Sequence, residues 1–182
     1  MKRSLVLALL GAAMPVAAAV AQDAPDVRIV EYGEFTARRD LTPLTKPEGA
    51  TGVSGFGYAE GIRFVRHATR IKAALCRRFG IYFMAAPPAR GAPISVTVRL
   101  THPRLTRPDG VTGTVETWPG MAALWPSPTM FGFTEPWEVA LGTWTFGLLE
   151  DGKVVAEQAF EVVPPTGSAA VPVQGCEAAP TS

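Results

Sequence analysis

No asparagine occurs anywhere in the 182 residues, so an N-x-S/T glycosylation site is excluded. Cysteine is limited to Cys76 and Cys176, and histidine to His67 and His102. These four residues show no metal-ligand spacing, and a C-x-x-C redox motif is absent. Neither a metal nor another cofactor is expected. No strand–helix–strand alternation is visible, which argues against a parallel α/β fold. After Val20 no apolar run is long enough to cross a bilayer as a helix. Acidic residues are missing altogether between Gly61 and Pro108.

What is present begins with MKRSLVLALLGAAMPVAAAVA, residues 1–21. Lys2 and Arg3 precede a short apolar run, Leu5 to Val20, and Ala19 and Ala21 form an A-x-A site. This reads as a secretory signal peptide cleaved before Gln22. No cysteine stands at the cleavage point, so no lipid anchor is expected. Cleavage removes Lys2 and Arg3 and turns the formal charge from +1 to −1. The expected product is soluble and periplasmic or secreted by a bacterium. It has one domain, residues 22–164, and a low-complexity tail, 165–182. In an oxidising compartment Cys76 and Cys176 are expected to pair. Their bridge would close a loop of about 100 residues, for which the chain-entropy account gives roughly 4–5 kcal/mol. The alternative is two unpaired thiols, one of them buried.

The chain reads as a series of strands. Residues 26–38 form the first, and 40–61, rich in Gly, Pro and Thr, is a loop without a core element. Residues 61–71 are extended, and 69–80 are irregular with a short turn. FGIYFMA (79–85) and PISVTVRLTH (93–102) read as a pair of strands joined by the turn-rich APPARGAP. In the second, Ile94, Val96, Val98 and Leu100 alternate with Ser95, Thr97, Arg99 and Thr101. ALGTWTFGLLEDGKVVAEQAFEVV (140–163) is a hairpin around Asp151-Gly152. A two-residue loop would set Glu157 against Phe146. A three-residue loop, Glu150 to Gly152, sets Trp144, Phe146 and Leu148 with Val154, Ala156 and Phe160, and is the expected register. Short strands punctuated by Gly and Pro point to an all-β sandwich.

The pattern LGTWTFGLLEDGKVVAEQAFEV is similar to the final hairpin of bacterial immunoglobulin-like domains. Three pieces in order resemble a family of exported bacterial domains of unknown function: TRIKAALCRRFGIYF, the strand ending in THP with its P-D-G turn, and the hairpin. The resemblance spans about residues 26–163 and implies an immunoglobulin-like antiparallel β-sandwich and export. It carries no activity or functional residues. Near Lys72 and Cys76 the family pattern would have Gly or Pro, which makes a Cys76–Cys176 bridge a feature of this chain.

Chemistry-bearing motifs are few. GVSGFGYAEG (52–61) is not G-x-S-x-G, because Phe56 holds the last glycine position, and Gly55, Gly57 and Gly61 are mis-spaced for G-x-G-x-x-G. His67 and His102 have no recognisable nucleophile or carboxylate partner. The charges are more informative. Gly61 to Pro108 carries ten basic residues, whereas from Asp109 onwards nine acidic residues face a single lysine, Lys153. Arg63, Arg66, Arg70, Arg77 and Arg78 either pair with acids on neighbouring strands or form a positive surface for an anionic envelope partner. Nucleic acid is not an expected partner, and the oligomeric state is left open.

The four tryptophans crowd into residues 118–144. Trp144 and Trp137 read as core or core edge. Trp118 and Trp125, flanked by prolines in WPGMAALWPSP, read as a long loop that either caps the sandwich or binds. The favoured function is a non-catalytic module that binds an envelope protein or an anionic or glycan surface, with Trp118, Trp125 and the five arginines as candidates. The alternative is a small-ligand or carbohydrate binder using Trp118 and Trp125 in one open groove. An enzyme is least favoured.

Overall fold

The structure is a computed structural model and describes residues 27–37, 39–41, 48, 50–54, 58–85 and 92–165. The signal peptide, Cys176 and the tail beyond Pro165 lie outside the described residues. Strands β1 (Val27–Thr36), β2 (Arg39–Leu41), β3 (Tyr58–Glu60), β4 (Arg63–Arg66), β5 (Arg70–Lys72), β6 (Arg78–Ala85), β7 (Ile94–Thr106), β8 (Thr112–Ala122), β9 (Ser127–Gly132), β10 (Gly142–Glu150) and β11 (Lys153–Val163) follow in order. One sheet has the order β4-β1-β6-β9 and the other β5-β11-β10-β7-β8, with β2 and β3 paired separately. All strand pairs are antiparallel except β5 with β11, which is parallel. The chain changes sheet along both edges of the sandwich, from β4 to β5 and from β8 to β9.

Period-2 alternation sets the core. Val96, Val98 and Leu100 of β7 are buried with Phe79, Ile81 and Phe83 of β6 and Trp144, Phe146 and Leu148 of β10. Phe79 stands at the centre, with its ring 5.2–6.0 Å from those of Phe133, Trp144, Phe146 and Phe160, mostly in the edge-to-face arrangements that aromatic quadrupoles favour.

Several expectations are corrected. Strands β6 and β7 both form but do not pair: β6 lies between β1 and β9, and β7 between β10 and β8. Strand β6 ends at Ala85 in one sheet and β7 starts at Ile94 in the other, and residues 86–91 between them lie outside the described residues. Arg70–Lys72 is a strand rather than irregular chain, with Ile71 completely buried. The 40–61 stretch contributes to the core after all: Val53 and Ser54 are buried, and Thr51 bridges to Thr117 of β8. Nor is WPGMAALWPSP one loop, since β8 runs through Ala122 and β9 starts at Ser127.

The terminal hairpin keeps the expected faces for Trp144, Phe146, Leu148, Ala156 and Phe160 but reaches them differently. Its loop is the two-residue Asp151-Gly152, with φ of 48° and 77°, a type I′ geometry that matches strand twist. Val155 is then the extra residue of a bulge: Leu149 opposes Val154 and Leu148 opposes Ala156. The bulge moves Glu157 from Phe146 to Gly147, where it meets Arg99 at 3.3 Å. Val154 leaves the core face and is exposed.

Before β10 a 3-10 turn, Pro136–Glu138, carries the buried Glu138. Its Oε2 accepts from the Thr134 amide (2.8 Å), the Thr134 hydroxyl (2.9 Å) and the Glu135 amide (3.0 Å). Burial nevertheless holds its carboxyl above the usual carboxylate range, against those hydrogen bonds. A raised folded-state pKa gives stability that is fully present below the unfolded value and lost as pH rises through the folded one. Glu138→Gln keeps the oxygen acceptor, so urea midpoints of this variant should improve relative to wild type as pH rises above the unfolded carboxylate value of about 4.3. A relative loss over that range would mean that the ionised form is the better acceptor here.

Candidate functional site

Glu116 lies on β8, two residues before Trp118, and shares its inward face. It is fully buried. Its Oε1 accepts from the backbone amides of Val53 (2.9 Å) and Ser54 (3.1 Å). The same oxygen is 3.3 Å from His102 Nε2, and neither side chain is more than 1% exposed. That contact has ion-pair distance without hydrogen-bond alignment. The other imidazole nitrogen, Nδ1, lies 2.8 Å from the Pro103 carbonyl. A carbonyl only accepts, so Nδ1 carries the proton. The ring stacks against Trp144 at 4.9 Å. Next to the pair, Thr51 and Thr117 exchange both backbone hydrogen bonds, at 2.9 and 3.0 Å. Residues 51–54 thus strap the outer edge of β8. Gly52 makes the strap possible: at φ 123° a Cβ would stand 1.7 Å from Glu116 Oε2.

Ser54, His102 and Glu116 are the residue types of a hydrolase triad, but the wiring differs. Nδ1 meets the Pro103 carbonyl, Nε2 lies 3.3 Å from Glu116 without a hydrogen bond, and the Ser54 hydroxyl has no hydrogen bond to either nitrogen, as a nucleophile and its base would. The group is a structural anchor. His67, the other histidine, is exposed, with Nδ1 3.1 Å from the Tyr32 carbonyl and Glu31 3.9 Å away.

Of the five arginine candidates, Arg66, Arg77 and Arg70 meet carboxylates. Glu34 is 3% exposed and its carboxylate takes Arg66 on both oxygens, at 2.8 and 3.3 Å, and Arg77 at 3.0 Å. The Glu34 hydrogen bond, and then its charge, hold the Arg66 guanidinium more firmly protonated. Arg70 faces Glu161 at 3.6 Å. Arg78 is buried, with its stem packed over Gly132. Arg63 is exposed at the end of β4, opposite Thr36. Beside β5, Thr69, Arg70, Thr143, Ala159, Phe160 and Glu161 line a shallow cleft of about 310 Å³.

The tryptophan candidates separate. Trp118 packs against the core, edge-on to Phe146, and its Nε1 donates to Thr129 Oγ1 at 3.1 Å. Trp125 is 66% exposed in the β8–β9 turn, beside Leu124 at 47% and near Met121 at 57%. Trp118 faces inward and Trp125 outward, so the two share no stacking groove. Sequence reasoning missed Met121 and Leu124 as its neighbours. A signal existed, because no charged residue occurs from Thr117 to Thr134 and Met121 and Leu124 fit no core alternation. Sequence reasoning also missed Glu116, because it read Trp118 as part of a loop and not of the strand on which Glu116 lies one period away.

Two facing, mainly antiparallel sheets, edge crossovers and a long final hairpin define an immunoglobulin-like β-sandwich. Residues 25–162 match the family described as Domain of unknown function (DUF3859), and the chain belongs to that family. The fold is similar to that of an immunoglobulin-like protein from Pseudomonas aeruginosa. The likeness has a TM-score of 0.51 at 22% identity and covers 76% of this chain and 97% of that one. No curated protein matches. Among the described residues, no helix is long and apolar enough to cross a membrane.

Proposed function

We propose that the protein is an exported, non-catalytic immunoglobulin-like module that binds another component of the bacterial cell envelope. The observation that carries the reading is the uncharged tip at the β8–β9 turn, where Met121, Leu124 and Trp125 stand in solvent. Exposed tryptophan with apolar neighbours is the composition of interface hot spots. The basic edge at Arg63 is a secondary contact for an anionic partner, since Arg66 and Arg77 are neutralised by Glu34 and Arg70 meets Glu161. Residues 1–21 act as the signal peptide. Cys76 has no free thiol and pairs with Cys176, as the two cysteines of an exported chain would.

A cross-linking pull-down from envelope extract tests this with the wild-type chain and Trp125→Ala. The Trp125 ring is mostly in solvent, so the variant should unfold within about 0.5 kcal/mol of wild type. A partner captured by wild type and lost by this folded variant is the expected result. The same partners with both proteins would remove the tip from the binding surface.

A further inference from the structure

Strand β1 begins at Val27, opposite Ala85. The Ala85 amide donates to the Ala123 carbonyl at 3.0 Å, one residue before Leu124. The chain therefore enters the fold beside the exposed tip. Seven residue steps separate Val27 from Val20, the end of the apolar run. Fully extended they span at most about 25 Å. The far end of the sandwich is a different matter: β7 alone, 13 residues long, carries it roughly 40 Å away. Whatever holds the apolar run is thus held next to Met121, Leu124 and Trp125 and far from the Arg107–Asp109 turn.

The tip has the chemistry of a bilayer boundary. Trp125 offers an apolar body with a polar N–H, as interfacial tryptophans do. Leu124 and Met121 flank it, Pro126 and Pro128 are also exposed, and the span from Thr117 to Thr134 is uncharged. The tip itself carries no charge, so its own contact is apolar and insensitive to salt. We infer that, while the run Leu5–Val20 lies in a bilayer, the Met121–Leu124–Trp125 tip rests on that same bilayer surface. The inference rests on the export reading of residues 1–21.

The test uses the full chain reconstituted into phosphatidylcholine vesicles containing brominated lipid, with tryptophan emission as the readout. Wild type should float with the vesicles and lose part of its emission to the bromine. Trp125→Phe should float equally well but lose most of that quenching, whereas Trp118→Phe should keep it. Raising the salt should leave the quenching unchanged. If Trp125→Phe is quenched as much as wild type, the tip does not touch lipid and the inference falls. If Trp125 is shielded from aqueous quencher but not reached by bromine, a second copy or another protein covers it, and the inference also falls. Failure of the chain to float would overturn this inference, whereas the export reading stands or falls on cleavage before Gln22. Floating without Trp125 quenching would overturn this one alone.

Discussion

Glu116→Ala should lower the unfolding free energy by about 3–5 kcal/mol, the range found when one partner of a buried pair is removed. Two amides, those of Val53 and Ser54, lose their acceptor together, and His102 loses the carboxylate that stands 3.3 Å from its Nε2. Each is buried, so water does not replace the carboxylate without opening the end of the sandwich. Urea unfolding measures the loss. Hydrogen exchange then locates it: the Val53 and Ser54 amides should lose protection first, along with the Thr51–Thr117 bridge. Gly52→Ala should fail at the same place by a different route, because its Cβ would occupy the position of Glu116 Oε2. A cost under about 1 kcal/mol for Glu116→Ala would place the pair among ordinary surface contacts and remove its role as an anchor.

Reduction of the wild-type chain, or Cys76→Ser, should cost about 4–5 kcal/mol, because the proposed bridge to Cys176 closes a loop of about 100 residues in the unfolded chain. Cys76 sits in the turn between β5 and β6 with φ of 64°. Serine at 76 meets the same backbone constraint, so Cys76→Ser isolates the bridge from the turn. Cys76→Gly relieves the left-handed conformation and should recover a small part of the loss. Denaturant midpoints with and without reductant, beside thiol titration of the unfolded protein, decide the matter. Two titratable thiols in the unreduced chain, or a midpoint indifferent to reductant, would overturn the bridge.

Local patterns were readable where one neighbour decides the outcome. The alternation of β7 needs just one buried face, and Asp151-Gly152 needs just the left-handed freedom of its turn, so both were legible. The register beyond that turn was not. A bulge at Val155 and a longer loop both keep Trp144, Phe146 and Leu148 inward, and strand period alone does not distinguish them. The partners of β6 and β7 were illegible for a related reason: an apolar strand is equally satisfied in either sheet. The arginines showed the opposite limit. Their acidic partners, Glu34 and Glu161, lie far from them in sequence, so a basic segment became largely paired edges once the strands were ordered.

By itself, the sequence determined the all-β class, the inward faces of β7 and β10 and the site of the final turn, because these follow from side-chain period and backbone freedom within a few residues. Tertiary structure decided which strands share a sheet, which acids meet which arginines, that His102 and Glu116 are a buried anchor under Gly52, and that Trp118 is packed while Trp125 stands free. Those outcomes depend on contacts between residues tens of positions apart, which exist only once the two sheets close on one another.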